Sequence, residues 1–163
     1  SVDVVVTKQF KQPYINTVQS MSPNGPYVTV SNNILGYPGE SRELIFDTIE
    51  LARKLKCDDI NAFTFIPYQG TSLRGLSEDK KYIDKETLAS IYETDSLLDM
   101  PSISKEEIGG LVKTFVLYSR LPKKLWGEIK LAQSSSEKVS GIRISKVFSN
   151  TANVFVKTGR FSI

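Results

Sequence analysis

A chain of 163 residues, 40% hydrophobic and 24% charged, suits one globular domain with a sizeable core, and no apolar run is long enough to span a bilayer. Its formal charge of +3 is too mild to imply a nucleic-acid partner. The absence of histidine and the presence of one cysteine, Cys57, exclude a His base or relay, a His metal site, an internal disulfide and a Cys-rich zinc or iron–sulfur site built by this chain alone.

Residues 1–10 open with Val2, Val4, Val5 and Val6 and read as a short strand. Residues 11–26 hold Pro13, Pro23, Gly25 and Pro26, carry no helical period and read mostly as loop. Residues 27–35 read as a strand of the buried kind, with Val28, Val30, Ile34 and Leu35 apolar. Asn32 and Asn33 near its end are unusual there. They are either turn residues with local backbone bonds or side chains pointing into a site. The strand runs into the turn Gly36-Tyr37-Pro38-Gly39-Glu40, where the acid could meet a ligand's amine or hydroxyl.

The spacing of Leu44, Ile45, Thr48, Leu51, Ala52 and Leu55 predicts a helix over 42–55 with one apolar face. Its acids sit at the start and its bases at the end, as the helix dipole favours. Residues 60–68 read as the next strand, ending in Pro67-Tyr68-Gln69-Gly70-Thr71. Two consecutive strands joined by a helix run parallel. Both Gly/Pro turns then fall on the same C-terminal edge, where parallel α/β sheets and barrels bind ligands.

Residues 72–82 are polar, irregular or briefly helical. Asp84 is a candidate N-cap for a helix over 85–92, and 95–101 reads as a linker. Ser104-Lys105-Glu106-Glu107 is a capping box, with Ile103 and Ile108 placed for a hydrophobic staple. The helix it opens carries Leu111, Val112 and Phe115 and stops at Pro122. Residues 123–132 suggest a further short helix with Trp126 and Ile129. The aromatics Phe115, Tyr118 and Trp126 read as core packing. Residues 133–137 form a Ser-rich hinge, and the alternation over 139–163 predicts a β-hairpin.

The run Asn33-Ile34-Leu35-Gly36-Tyr37-Pro38-Gly39-Glu40-Ser41-Arg42-Glu43-Leu44-Ile45-Phe46-Asp47-Thr48-Ile49-Glu50-Leu51 resembles the fifth-strand segment of radical SAM enzymes. It is most similar to the branch that also carries a cobalamin-binding domain. Phe65-Ile66-Pro67-Tyr68-Gln69-Gly70-Thr71-Ser72-Leu73-Arg74 resembles that superfamily's sixth-strand segment. Asp95-Ser96-Leu97-Leu98-Asp99-Met100-Pro101 and the run 108–130 are similar to the C-terminal helices of the same branch. The likeness covers residues 27–132 and divides the chain in three: a poorly matched segment, 1–26; the similar portion, 27–132; and a hinge with its hairpin, 133–163.

The resemblance implies an α/β fold, the C-terminal part of a partial (β/α) barrel followed by helices. It implies a parent enzyme in which a [4Fe–4S] cluster reduces S-adenosylmethionine, releasing a 5′-deoxyadenosyl radical that takes a hydrogen atom from a small-molecule substrate. Cobalamin-dependent methyl transfer is one outcome in this branch. Carried over residue by residue, Gly36, Tyr37, Pro38, Gly39 and Glu40 would lie against S-adenosylmethionine. Ile34 and Leu35 would border its adenine, and Pro67, Tyr68, Gln69 and Gly70 would contact the adenine through backbone and an apolar face. No residue is assigned to catalysis or to a metal.

The Cys-x₃-Cys-x₂-Cys cluster motif, the Gly-Gly-Glu segment and a cobalamin-binding domain are all missing. The expectation is therefore a fragment of a longer enzyme, supplying part of the S-adenosylmethionine site and inactive when isolated. The alternatives are a degenerate half barrel that binds without chemistry and an unrelated α/β domain. The latter is recognised by strands that are not parallel neighbours. A half barrel would expose an apolar sheet face, so self-association is expected, with no nucleic-acid or membrane partner and a cytoplasmic location.

Overall fold

The computed structural model describes residues 12–21, 27–90 and 95–133. Along the chain run α1 (Gln12–Met21), β1 (Val30–Leu35), α2 (Arg42–Leu55), β2 (Asp59–Thr64), α3 (Ser72–Asp79), α4 (Lys105–Arg120), a 3-10 turn (Lys123–Leu125) and α5 (Trp126–Gln133). The strand expected in 1–10, the hairpin of 139–163 and the hinge beyond Gln133 lie outside the described residues.

β1 and β2 pair in parallel, in register from Val30 opposite Asp59 to Leu35 opposite Thr64. The α/β class and the parallel neighbours are as the sequence implies. Among the described residues the sheet has these two strands. α2 is the connection between them, and its ends are chemically marked. Ser41, extended at φ −119°, accepts the Leu44 N–H at its hydroxyl, and Lys56 closes the helix in the left-handed region. The apolar stripe does what its spacing implies: Ile45, Ile49, Ala52 and Leu55 are buried. Ile45 and Ile49 join Leu35, Ile60, Leu98, Ile108, Leu111, Phe115 and Ile129 in the main core. Truncating any of these to Ala would remove about 2–5 kcal/mol, because the close-packed surroundings collapse only in part.

Three expectations are corrected. Residues 12–21, expected as loop, form α1. Pro13 lies in the first turn, where a missing N–H costs no intrahelical bond. Ile15 and Val18 then pack against Leu51, Leu55 and Cys57 in a satellite cluster, and that burial decides the conformation. Residues 85–90 are not helical. Carbonyls there turn toward Arg74 instead, and residues 91–92 lie outside the described residues. Finally, β1 is not buried on both faces: its exposure alternates strictly. Ser31, Asn33 and Leu35 face the core, while Val30, Asn32 and Ile34 face outward beside Phe63.

That alternation answers the question of the two asparagines. Asn33 is buried within β1 and donates across to the Asn61 carbonyl of β2 at 2.9 Å and to the Ser31 hydroxyl at 3.1 Å, so it is neither a turn residue nor open to a ligand but is bonded within the sheet. Asn32 lies on the open face and accepts from the Asn61 amide at 3.1 Å. Val30, Ile34 and Phe63 are 45%, 44% and 54% exposed around it.

α4 starts as its capping box implies, the Glu107 N–H donating to the Ser104 hydroxyl. Ile103 and Ile108, the staple pair, are both buried. The helix ends just before Pro122. α5 returns against it so closely that a Cβ at Gly110 would lie 2.9 Å from the Gln133 carbonyl oxygen. Phe115 and Tyr118 are buried in the core with Trp126 packed against it, as expected, and Phe46 joins them: Phe46, Tyr118 and Trp126 stand 5.1–5.4 Å apart in edge-on or tilted pairs. α2 and α4 are tied further by the Arg42–Glu107 ion pair. Arg53 adds bonds to the carbonyls of Tyr118 at 2.6 Å and Leu121 at 2.7 Å.

Candidate functional site: two turns on one sheet edge

Because β1 and β2 are adjacent and parallel, the turns that leave them emerge side by side. The Phe65 N–H donates to the Leu35 carbonyl at 2.7 Å, carrying the pairing one residue past β2. The Tyr37 ring then rests 4.9 Å from the Phe65 ring. The two turns thus share a rim, as the sequence requires of consecutive parallel strands.

The first turn is organised by its own acid. Glu40 is buried, and its Oε2 accepts the Gly36 N–H at 2.6 Å and the Tyr37 N–H at 3.3 Å. The Glu40 N–H in turn donates to the Tyr37 carbonyl at 2.8 Å. The carboxylate expected to face a ligand is therefore directed back into the chain. Gly36 has φ +89°, and a Cβ there would stand 3.2 Å from Ile108 of α4, so both conformation and space demand glycine. The segment before α4 clamps the other side. The Ser102 hydroxyl donates to the Glu40 carbonyl at 2.6 Å, and the Gly39 N–H meets the Met100 sulfur at 3.4 Å. Burial, and secondarily the charge of Glu40, push the Tyr37 phenol above its ordinary value of 10.0.

The second turn is organised by a base. Thr71 caps α3, its hydroxyl accepting the Arg74 N–H at 3.3 Å and donating to the Tyr68 carbonyl at 2.7 Å. Beneath it lies Arg74, 2% exposed. Its Nη1 donates to the carbonyls of Pro67 at 3.4 Å and Thr87 at 3.0 Å, and its Nη2 to those of Asp84 at 3.0 Å and Lys85 at 3.1 Å. Its Nε meets Glu78 at 2.5 Å. An open depression of about 490 Å³, lined by Gln69, Gly70, Thr71, Arg74, Gly75, Glu78 and Lys85, lies over this group.

The eleven residues carried over from the resemblance divide by exposure. Ile34, Tyr37, Tyr68, Gln69 and Gly70 are exposed on or beside the rim, Gly39 likewise, and Pro38 is half-buried. Leu35, Gly36, Glu40 and Pro67 are buried. Leu35 points into the core, so only Ile34 of that pair offers a side chain to the rim. Sequence reasoning missed Ser41, Met100, Ser102 and Arg74. Ser41 had a readable signal, a cap-forming residue before the apolar run. Met100 and Ser102 are brought in from some sixty residues away, and no local pattern announces them.

A [4Fe–4S] cluster does not fit this donor set. Cys57 is the chain's single cysteine; it is buried behind α1, and burial raises its thiol above the ordinary 9.0. Among the described residues no group of three or more His, Cys, Asp or Glu could hold a metal. No described helix is long and apolar enough to cross a membrane. An adenosyl group does fit the rim's chemistry, which offers two part-exposed tyrosine rings, an aliphatic side chain and backbone at the turns.

No family profile matches the chain, and no solved structure does. Curated proteins do. The chain is 26% identical over 111 residues to a tRNA-2-methylthio-N(6)-dimethylallyladenosine synthase of Acetivibrio thermocellus, covering 67% of this chain and 23% of that protein. It is 28% identical over 120 residues to the synthase of the same name from a Psychrobacter species, covering 70% and 24%. With that of Fusobacterium nucleatum it shares 26% over 131 residues, covering 79% and 29%. The chain spans about a quarter of the length of these relatives. They give no support to the cobalamin-carrying branch named from the sequence. What they do support is partial similarity to tRNA-2-methylthio-N(6)-dimethylallyladenosine synthases.

Proposed function

We propose that residues 27–132 are the C-terminal portion of a radical SAM barrel, and that the rim formed by residues 36–40 and 67–70 takes the adenosyl part of S-adenosylmethionine. The observation that carries this is the placement of both turns at one edge of two parallel strands, joined by the Tyr37–Phe65 contact. Similarity to the synthases over more than two thirds of the chain supports the same reading. In it, Ile34, Tyr37 and Tyr68 supply the surface against the adenine, and Gln69 and Gly70 supply backbone. Glu40 does not touch the ligand; it fixes the turn that does.

The chain's own part is binding. The cluster that supplies the electron for cleaving S-adenosylmethionine has no ligands here, so the chain by itself holds the adenosyl group without breaking it. For the longer enzyme, the names of the relatives favour work on a tRNA nucleoside over cobalamin-dependent methyl transfer. Titration calorimetry and NMR with S-adenosylmethionine test the binding. Weak, saturable binding that adenosine competes for is expected, with shifts concentrated at residues 34–40 and 67–71. No binding at millimolar ligand, or shifts confined to the far end of the sheet, would overturn the proposal.

A further inference from the structure

α3 is turned inside out. It exposes Leu73 and Leu76 and buries Arg74 and Ser77. A guanidinium so deeply buried is normally matched to a carboxylate fork. Here one carboxylate, Glu78, takes only the Nε–H. The two terminal nitrogens are spent on four main-chain carbonyls from two separate segments. One of those carbonyls, that of Pro67, begins the second turn of the rim. The other three belong to residues 84–87, which form no helix and are turned by the Thr87 N–H donating to the Asp84 carbonyl at 3.1 Å.

We propose that Arg74 is a positioning residue for the ligand rim: its guanidinium gathers the Pro67 carbonyl with those of Asp84, Lys85 and Thr87 and so sets the shape in which Tyr68, Gln69 and Gly70 meet the adenosyl group. This rests on the adenosyl reading above. The physical case is one of geometry. Carbonyl groups repel one another when crowded, and a planar fork with five donors can hold four of them in a fixed arrangement. An ammonium is a single point and cannot span the same set. The depression over the group gives a small cation access to its place.

Two measurements test this, and they fail separately. The first is ligand-independent: hydrogen exchange at the amides of residues 68–71 in the wild type and in Arg74→Lys. Faster exchange in the variant, at these amides and not across β1, is expected; unchanged exchange would overturn the proposal. The second is NMR titration with S-adenosylmethionine. Both Arg74→Lys and Arg74→Ala are expected to bind at least about tenfold more weakly, as small misplacement at a site does. Millimolar guanidinium restores binding by Arg74→Ala and ammonium does not. Wild-type affinity in either folded variant, or equal rescue by ammonium, overturns the positioning role. Should Arg74→Ala fail to fold, Arg74→Lys carries both measurements. A wild type that does not bind at all defeats the adenosyl reading instead, and the positioning role for that ligand with it.

Discussion

The two turns on the rim solve the same problem with opposite charges. In the first, a buried carboxylate collects the N–H groups of Gly36 and Tyr37. In the second, a buried guanidinium collects the carbonyls of Pro67, Asp84, Lys85 and Thr87. An irregular segment leaves backbone donors and acceptors without a ladder, and each must find a partner. A tight turn whose amides converge needs an acceptor; a turn whose neighbours present carbonyls needs a donor. The first solution is local, four residues from Gly36 to Glu40. The second reaches from Pro67 to Thr87. Damage to the first should stay near Gly36, whereas damage to the second should spread along the chain.

The largest effect is expected at Arg74. Arg74→Leu keeps the volume roughly but strands four carbonyls and Glu78, at a cost of about 3 kcal/mol in a urea melt. If the cost stays below about 1 kcal/mol, the carbonyls are finding water and the contrast between the turns is weaker than their geometry suggests. A matched pair of glycines sharpens the contrast next. Gly36 and Gly70 have nearly equal φ, +89° and +81°, yet a Cβ at Gly70 meets nothing within 4 Å. Gly70→Ala then bears conformational strain alone, about 1 kcal/mol. Gly36→Ala adds displacement of Ile108 and should cost about 2 kcal/mol or more. Equal losses would mean that α4 gives way and does not hold the first turn.

Periodicity made α2 and α4 legible because their apolar faces, caps and terminal charges agree. The parallel pairing followed from chain order, and with it the shared rim. What stayed hidden had no local pattern. α1 is held by Ile15 and Val18 against α2, a tertiary contact that a loop-like sequence with several prolines conceals. Hydropathy points α3 the wrong way, since its leucines are outside and its arginine inside. Glu40 was legible as a member of the turn but not in its orientation. A carboxylate two residues before a helix and four after a glycine reads equally as ligand contact or as clamp. Only the 2.6 Å bond to Gly36 separates the two.

Glu40 also provides the finest test of the first turn. Glu40→Gln keeps an oxygen acceptor and removes the charge. It should cost about 1 kcal/mol, the difference between a charge-assisted bond and a neutral one. Tyr37 reports on the same change. Burial, more than the Glu40 charge, raises its phenol above 10.0 in the folded state. The folded protein therefore keeps this proton at a pH where the unfolded chain has begun to lose it. Tyr37's contribution to stability is complete below pH 10 and falls as pH rises from 10 toward the folded value. Ultraviolet titration of the wild type against Tyr37→Phe isolates its ionisation from that of Tyr118, which burial also raises. In Glu40→Gln the midpoint of Tyr37 should move back toward 10, but only in part, because burial remains the larger cause. A full return would mean that the ring had swung off Phe65 into water, and that the charge of Glu40, not packing, holds the two turns together.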